Sequence, residues 1–280
     1  MNLKNKVAIM YDFDETLAPG NMQEYAFIPM LEMSPNEFWE MASKLGKEHN
    51  MDNILAYMYL SIKMVKEKKL KITKEAFKHQ GEFISFFEGV ETWFKRINEY
   101  GKSLGLEVEH YIISCGLKEI LEGTKIAKEF KRIFACCFAY DEQTKEPIWA
   151  SHAINYTSKM QYIYRVRKNK LDKLYDSYEL NEYVEDRSTL LPYTNMVYVG
   201  DGETDVPCMK LVKLHGGHSI CVYNPNSEKK KKIAEKLYKD GRVNFMTPAD
   251  YKEDSKIECI MKDLLNKIAI NNKIEEYSKW

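Results

Sequence analysis

"YDFDETLAPG", residues 11–20, closes a short apolar run, "KVAIMY", on two aspartates two positions apart. A run of that length with β-branched and aromatic members reads as a buried strand. Asp12 and Asp14 then fall at a strand's carboxyl end, followed by Thr16 and by the chain-turning pair Pro19-Gly20. Two carboxylates so close repel each other. Their company in the rest of the chain must explain why they are kept.

Outward from this stretch, strand signals alternate with helical ones. "SPNEFWEMASKLGKEH" opens a helix, with Ser34 as cap and Pro35 in the first turn. "MDNILAYMYLSIKMVKEKK" and "TKEAFKHQGEFISFF" are helical in period, and no strand signal occurs between about 20 and 90. This helical insertion ends near Gly89. Beyond it come the helix "ETWFKRINEYGKSLG" and the strand "EVEHYIISCG", which ends on Ser114, Cys115 and Gly116. "RIFACCFAY" and "IWASHAI" are further strands. "TSKMQYIYRVRKN" is a helix capped by Thr157 or Ser158. "NMVYVGDGETDVPCMKLV" reads as strand, glycine turn and helix, and "SICVYNP" as one more strand before a helical remainder.

Such alternation predicts an α/β fold: a Rossmann-like parallel sheet with helices on both faces, plus an all-helical unit. The expected division is a core of residues 1–19 and 90–280 and a helical cap of residues 20–89. Ligands of these sheets bind beyond the carboxyl ends of the strands. Asp12, Ser114 and Asp201 each occupy such an end and are expected to converge.

Composition narrows the partners. Lys plus Arg equals Asp plus Glu, 42 each, so no net field favours nucleic acid or an anionic membrane. The N-terminus has no apolar stretch of signal-peptide length, and "ILAYMYLSI" is far short of a membrane span, so a cytoplasmic location is expected. Six cysteines without a CxxC pair read as reduced thiols, Cys136 and Cys137 as strand packing. "EKKKKIAEKLYKDG", with Lys229 to Lys232, reads as a solvated helix face. "HGGH", residues 215–218, reads as a helix-to-strand turn. Residues 165–192 form a charged, tyrosine-rich insertion.

"GDGETD" supplies a second acidic pair, Asp201 and Asp205. Four carboxylates at two strand ends need a cation. Oxygen ligands alone call for a hard ion, Mg²⁺ where the substrate carries phosphate. Next to a cation Asp12 can stay ionised and nucleophilic, while Asp14, raised by its neighbour, holds a proton near neutrality.

"DFDET", Ser114 at a strand end, Lys159 opening a helix and "GDGETD", in that order, resemble the four-motif signature of the haloacid dehalogenase-like hydrolases. The helical insertion between the first two motifs is similar to the cap of the phosphoserine phosphatase-like group. The resemblance implies an aspartyl-phosphate mechanism on a small phosphorylated metabolite. Asp12 would be the nucleophile, and Asp14 the acid for the leaving alcohol and then the base for water. Ser114, with Cys115 and Gly116 beside it, would bind the phosphoryl oxygens. Lys159 would neutralise Asp12 and the phosphoryl group, and Thr16 would fix the loop on the substrate side. Mg²⁺ would be held by Asp12, Asp201 and the backbone carbonyl of Asp14, with Asp205 supporting. Lys168 and Lys170 compete with Lys159 for its role. The interval from Lys159 to Asp201 is longer than is common in the family, because of the charged insertion.

Aspartate at position 14 points to a phosphatase or phosphomutase, since dehalogenases lack it. A phosphotransferase, a phosphomutase and a non-catalytic binding protein on this fold stay open beside the phosphomonoesterase. The phosphoserine phosphatases carry a glutamate nine residues after the nucleophile. Here that place is Asn21, with Glu24 out of register, so phosphoserine is not the expected substrate. Phe27, Phe38, Trp39, Tyr57 and Tyr59 are expected as core more than as a substrate box. The chain is expected as a monomer or homodimer.

Overall fold

A computed structural model describes residues 3–277, apart from the side chains of Lys4, Ser177, Arg187 and Glu276. The expected core boundaries, 1–19 and 90–280, thus include residues 1–2 and 278–280, which lie outside the described residues. Seven strands form one sheet: β1 (Lys6–Tyr11), β2 (Glu107–Leu117), β3 (Arg132–Tyr140), β4 (Pro147–His152), β5 (Met196–Gly200), β6 (His218–Tyr223) and β7 (Phe245–Pro248). Their order is β4-β3-β2-β1-β5-β6-β7. Neighbours are parallel except β3 and β4, an antiparallel pair at the edge. β1 is central because Val7 to Tyr11 are all buried, which only a strand covered on both faces allows. The chain moves outward one way through β2 and β3 and the other way through β5 to β7. The strand order therefore reverses beside β1, the place where such sheets open a crevice.

Between β1 and β2 lie α1 (Phe27–Met30), α2 (Pro35–His49), α3 (Asn53–Glu67), α4 (Lys74–Gln80) and α5 (Val90–Ser103). Every regular element described between residues 20 and 89 is helical. α2 begins on a capping box: Glu37 N–H donates to Ser34 Oγ, and Ser34 N–H donates to Glu37 Oε2 at 2.8 Å. Asp52 caps α3 through Ile54 N–H at 2.9 Å. The insertion packs onto the sheet directly. Phe77 of α4 stacks on Phe138 of β3 with ring centroids 5.6 Å apart, and one apolar cluster runs through both.

After β2 the chain forms α6 (Lys118–Glu122), then α7 (Lys159–Lys168) and α8 (Ser177–Asn181) between β4 and β5. α9 (Val206–Leu214), α10 (Glu228–Lys239) and α11 (Lys256–Tyr277) follow β5, β6 and β7. The helices cover both faces of the sheet. No described helix is long and apolar enough to cross a membrane.

One local expectation changes. The cap of α7 is neither Thr157 nor Ser158: Asn155 Oδ1 accepts from Ser158 N–H at 2.9 Å, and Asn155 O accepts from Lys159 N–H at 3.0 Å. Ser158 has helical dihedrals, so its side chain is past the capping position. The charged insertion is organised from inside. Arg165, wholly buried, donates to the carbonyls of Lys170, Lys173, Leu174 and Asp176 at 3.1–3.3 Å. "HGGH" is the turn expected: His215 stacks on Tyr193 and His218 opens β6.

Candidate active site

β1 hands its direction to Asp12, whose N–H still pairs with Val199 O of β5 at 2.9 Å. The chain then folds back tightly. The N–H groups of Thr16, Leu17 and Ala18 all point at Phe13 O, at 3.1, 2.8 and 3.3 Å. This turn brings Met22 over Asp14, and Met22 N–H donates to Asp14 Oδ1 at 2.8 Å. Thr16 holds the turn from below: it is wholly buried, and its carbonyl accepts from the Tyr251 hydroxyl at 2.8 Å.

The end of β2 stands beside it. Ser114 is wholly buried, and its Oγ accepts from Gly116 N–H at 3.0 Å. Cys115 O accepts from the Tyr57 hydroxyl of α3 at 2.7 Å. A Cβ on Gly116 would lie 2.0 Å from Met22 Cε and 3.2 Å from Asp14 Oδ2, so a larger residue would push aside the Met22 side chain and crowd the aspartate.

Lys159 reaches in from the first turn of α7 and is 1% exposed. Its ammonium lies 3.0 Å from Asp12 Oδ1 and 2.8 Å from Asp205 Oδ1. The Tyr198 hydroxyl donates to the same Asp205 oxygen at 2.8 Å. Asp205 packs over Gly200, where a Cβ would meet Oδ2 at 2.5 Å. Lys168 and Lys170 do not compete. Lys168 donates to the carbonyls of Leu180 and Glu182, and Lys170 pairs with Glu179, all in the charged insertion.

These elements enclose a cleft of about 490 Å³. Asp12, Asp14, Asp201, Lys159 and Cys115 line it, whereas Thr16, Ser114, Gly116 and Asp205 stand behind the lining. Ligand oxygens of Asp12, Asp201 and Asp205 lie within 4.8 Å of one another. The Asp14 carboxylate is not among them, since it is turned toward Met22 N–H.

Burial dominates the electrostatics. It pushes the Asp12 carboxyl well above the usual range, Asp205 adds to the rise and Lys159 opposes it. Asp14 is pushed up to about 7. Burial is the main cause, with smaller additions from Asp201 and Glu24, against the Met22 N–H and Lys159. The sequence reading attributes this rise to the neighbouring aspartate, but removal from water is the larger effect. Asp201 is raised to about 6 by burial and by Asp205, with Lys230 pulling it down. Burial works against the Lys159 ammonium, yet Asp12 and Asp205 together hold it well above its ordinary value.

The residues fit a divalent cation. Three carboxylates converge, all their donor atoms are oxygen, and buried Asp205 Oδ2 has no hydrogen-bond partner. Such a group is costly to bury unless something satisfies it.

Sequence reasoning missed several lining residues. Lys230 belongs to the run read as a solvated face, yet its ammonium lies 2.8 Å from Asp201 Oδ2. Its signal was position: it lies in the first turn of the helix that follows a strand end. Phe27, Phe38 and Tyr57 are core as expected, Tyr57 and the part-buried Trp39 also line the cleft, and Tyr59 is exposed. Glu24 is committed within the protein, accepting from Asn21 Nδ2 at 2.6 Å and Trp39 Nε1 at 2.7 Å.

Comparisons with known proteins agree with this architecture. A protein of Borreliella burgdorferi, described only as uncharacterized, is 28% identical over 91% of this chain and 94% of its own length. A substrate-bound phosphoserine phosphatase complex superposes with a TM-score of 0.55 at 15% identity, covering 92% of this chain and 98% of that one. A phospho-aspartyl intermediate analogue of phosphoserine phosphatase superposes at 0.53 and 14% identity, covering 92% and 99%. A HAD family hydrolase from Salmonella enterica serovar Typhi superposes at 0.53 and 18% identity over 86% of this chain, which spans 66% of that longer one. At these identities the structural likeness is one of fold. Residues 9–210 match the family described as haloacid dehalogenase-like hydrolase, and with most of its length so matched the chain belongs to that family.

Proposed function

We propose that the protein is a Mg²⁺-dependent phosphomonoesterase acting on a small phosphorylated metabolite through an aspartyl-phosphate. The observation that carries this reading is the Lys159 ammonium between Asp12 and Asp205, with Asp14 poised near neutrality on the same cleft.

Asp12 attacks phosphorus, and the bond from phosphorus to the ester oxygen breaks. Asp14 gives its proton to that oxygen, so the alcohol leaves neutral. The Asp14 carboxylate then takes a proton from water, whose oxygen attacks the phosphoryl group, returning Asp12 and releasing phosphate. A group with a pKa near 7 can do both at neutral pH. Lys159 favours the ionised nucleophile and offsets phosphoryl charge. Ser114 stands just behind the lining with its Oγ accepting from Gly116 N–H, and its hydroxyl proton reaches a phosphoryl oxygen only when the ester is seated deep against the strand end. Mg²⁺, held by Asp12, Asp201 and Asp205 with the Asp14 carbonyl, would stabilise charge on the transferring group. Residues 20–89 serve as a cap: Trp39 and Tyr57 supply part of the cleft wall and help exclude bulk water.

Hydrolysis of p-nitrophenyl phosphate with Mg²⁺, with EDTA and by Asp12→Asn tests the reading. Release that requires Mg²⁺ and vanishes in the variant is expected. Equal release by Asp12→Asn would overturn it.

A further inference from the structure

The cleft carries information about the alcohol half of the substrate. Lys159 and Lys230 are its cationic lining residues among those described, and both are already paired with aspartates. Glu15 and Glu203 add to the lining carboxylates, and Glu15 Oε2 is buried with no partner. The remaining wall is uncharged: aromatic from Trp39 and Tyr57, aliphatic from Ile54 and Ile233, and polar from Asn21 and Asn53. A phosphate ester bearing a second anion, such as a carboxylate, would find no free counter-charge here and several like charges. Discrimination of this kind acts through repulsion and unpaired groups.

One side chain shows what the site awaits. Gln23 lines the cleft, is 2% exposed, and its Oε1 has no hydrogen-bond partner. It directly follows Met22, whose N–H pins Asp14 Oδ1, so it stands beside the group that protonates the leaving oxygen. A buried amide end without a partner costs free energy that a bound group can restore. A hydroxyl, both donor and acceptor, satisfies either end of an amide.

We propose that the alcohol half of the substrate is uncharged and hydroxyl-bearing, and that the Gln23 amide holds one of its hydroxyls. This rests on the phosphatase reading above and names the substrate class of the same site.

The test is a comparison of kcat/KM for the Mg²⁺-loaded wild-type protein on esters of three classes, with p-nitrophenyl phosphate as reference. Glucose 6-phosphate, ribose 5-phosphate and glycerol 1-phosphate represent the uncharged class. Phosphoserine, phosphoglycolate and 3-phosphoglycerate carry a second anion, and phosphoethanolamine carries a cation. The best uncharged ester is expected to exceed every anionic one by about tenfold or more. In Gln23→Leu its kcat/KM relative to p-nitrophenyl phosphate should fall about tenfold, mainly through KM. Gln23→Met serves the same purpose should the leucine variant not fold.

Anionic esters turned over as well as uncharged ones, or phosphoethanolamine preferred to all, would overturn the proposal while leaving the phosphatase reading intact. An unchanged ratio in both Gln23 variants would overturn the role of that residue. No hydrolysis of any ester would overturn both readings together.

Discussion

The Lys230 ammonium lies 2.8 Å from Asp201 Oδ2, although its three lysine neighbours make the run look like plain surface. One turn into α10 it points back across the strand ends and holds a carboxylate that would otherwise retain its proton more tightly. In the metal-free protein Asp201 titrates at about 6, so protons compete with Mg²⁺ below that pH. Without Lys230 the competition should begin higher. In Lys230→Met the pH at which Mg²⁺ affinity starts to fall is expected to rise by roughly one to two units. Calorimetric titration of Mg²⁺ across pH checks this. Superimposable profiles for the two proteins would show that the pair is incidental.

The same aspartates link metal, pH and stability. Asp14 at about 7 and Asp201 at about 6 both lie above the ordinary 3.8 of a carboxyl. A carboxyl raised on folding binds its proton more tightly in the native state. Its contribution is therefore favourable at low pH and is lost as pH rises through the folded value. For these two groups the loss falls between about pH 4 and 7, and Mg²⁺ should restore stability where they are ionised. The rise in melting temperature caused by Mg²⁺ is expected to be larger at about pH 8 than at about pH 5. Equal shifts would mean that the cation does not bind the Asp201 carboxylate.

Lys159 is the charge that makes the buried cluster tolerable. Its ammonium touches Asp12 and Asp205, which are themselves nearly or wholly buried. Lys159→Met removes the charge and leaves two carboxylates uncompensated, which typically costs about 3–5 kcal/mol. Chemical denaturation of the metal-free variant should show a loss of that order, and Mg²⁺ should recover part of it. A loss below about 1 kcal/mol would place Lys159 among weak pairs.

The divided nature of what the sequence revealed follows from distance along the chain. Asp12, Asp14, Asp201 and the strand ends that carry them are local patterns, and the sheet brings them together as the alternation of elements requires. Lys159 was identifiable because it opens a helix, although the residue that caps that helix, Asn155, lies four positions earlier. Lys230 and Gln23 were not legible. Lys230 sits in a charged run and Gln23 in a mixed loop, and the role of each arises only when another part of the chain lies across it. Trp39 adjoins buried Phe38 on α2, and Tyr57 lies among the many buried residues of α3, so the apolar pattern alone cannot separate a core face from a cleft wall.

Asp14→Asn separates the two halves of the reaction. Proton donation matters least for a good leaving group such as p-nitrophenolate and most for an alkoxide. Loss of about 10²–10⁴ in kcat/KM is expected on an alkyl phosphate, the usual contribution of general acid catalysis. With p-nitrophenyl phosphate the variant should release a burst of nitrophenolate equal to the enzyme present, then turn over slowly. Burst kinetics report an intermediate whose breakdown has become limiting. Rapid-quench or stopped-flow absorbance measures it. Equal losses on both esters with no burst would assign Asp14 to another task.

Arg165 is buried away from the cleft and acts on the insertion between α7 and β5. Its guanidinium satisfies the carbonyls of Lys170, Lys173, Leu174 and Asp176, and the segment it gathers has little buried surface of its own. Arg165→Met keeps the length of the side chain and removes every donor. Each carbonyl left without a partner costs up to about 1–3 kcal/mol, and opening to water avoids that cost. The segment should therefore open locally while the sheet stays folded, because local stability follows local contacts. Faster tryptic cleavage at Lys170 and Lys173 and lost amide protection over residues 170–176 are expected, with the melting temperature little changed. Hydrolysis of p-nitrophenyl phosphate should persist, since Lys159 sits at the opposite end of α7 and is held by Asp12 and Asp205. Unchanged proteolysis would show that Lys168, through Leu180 and Glu182, anchors the insertion without help.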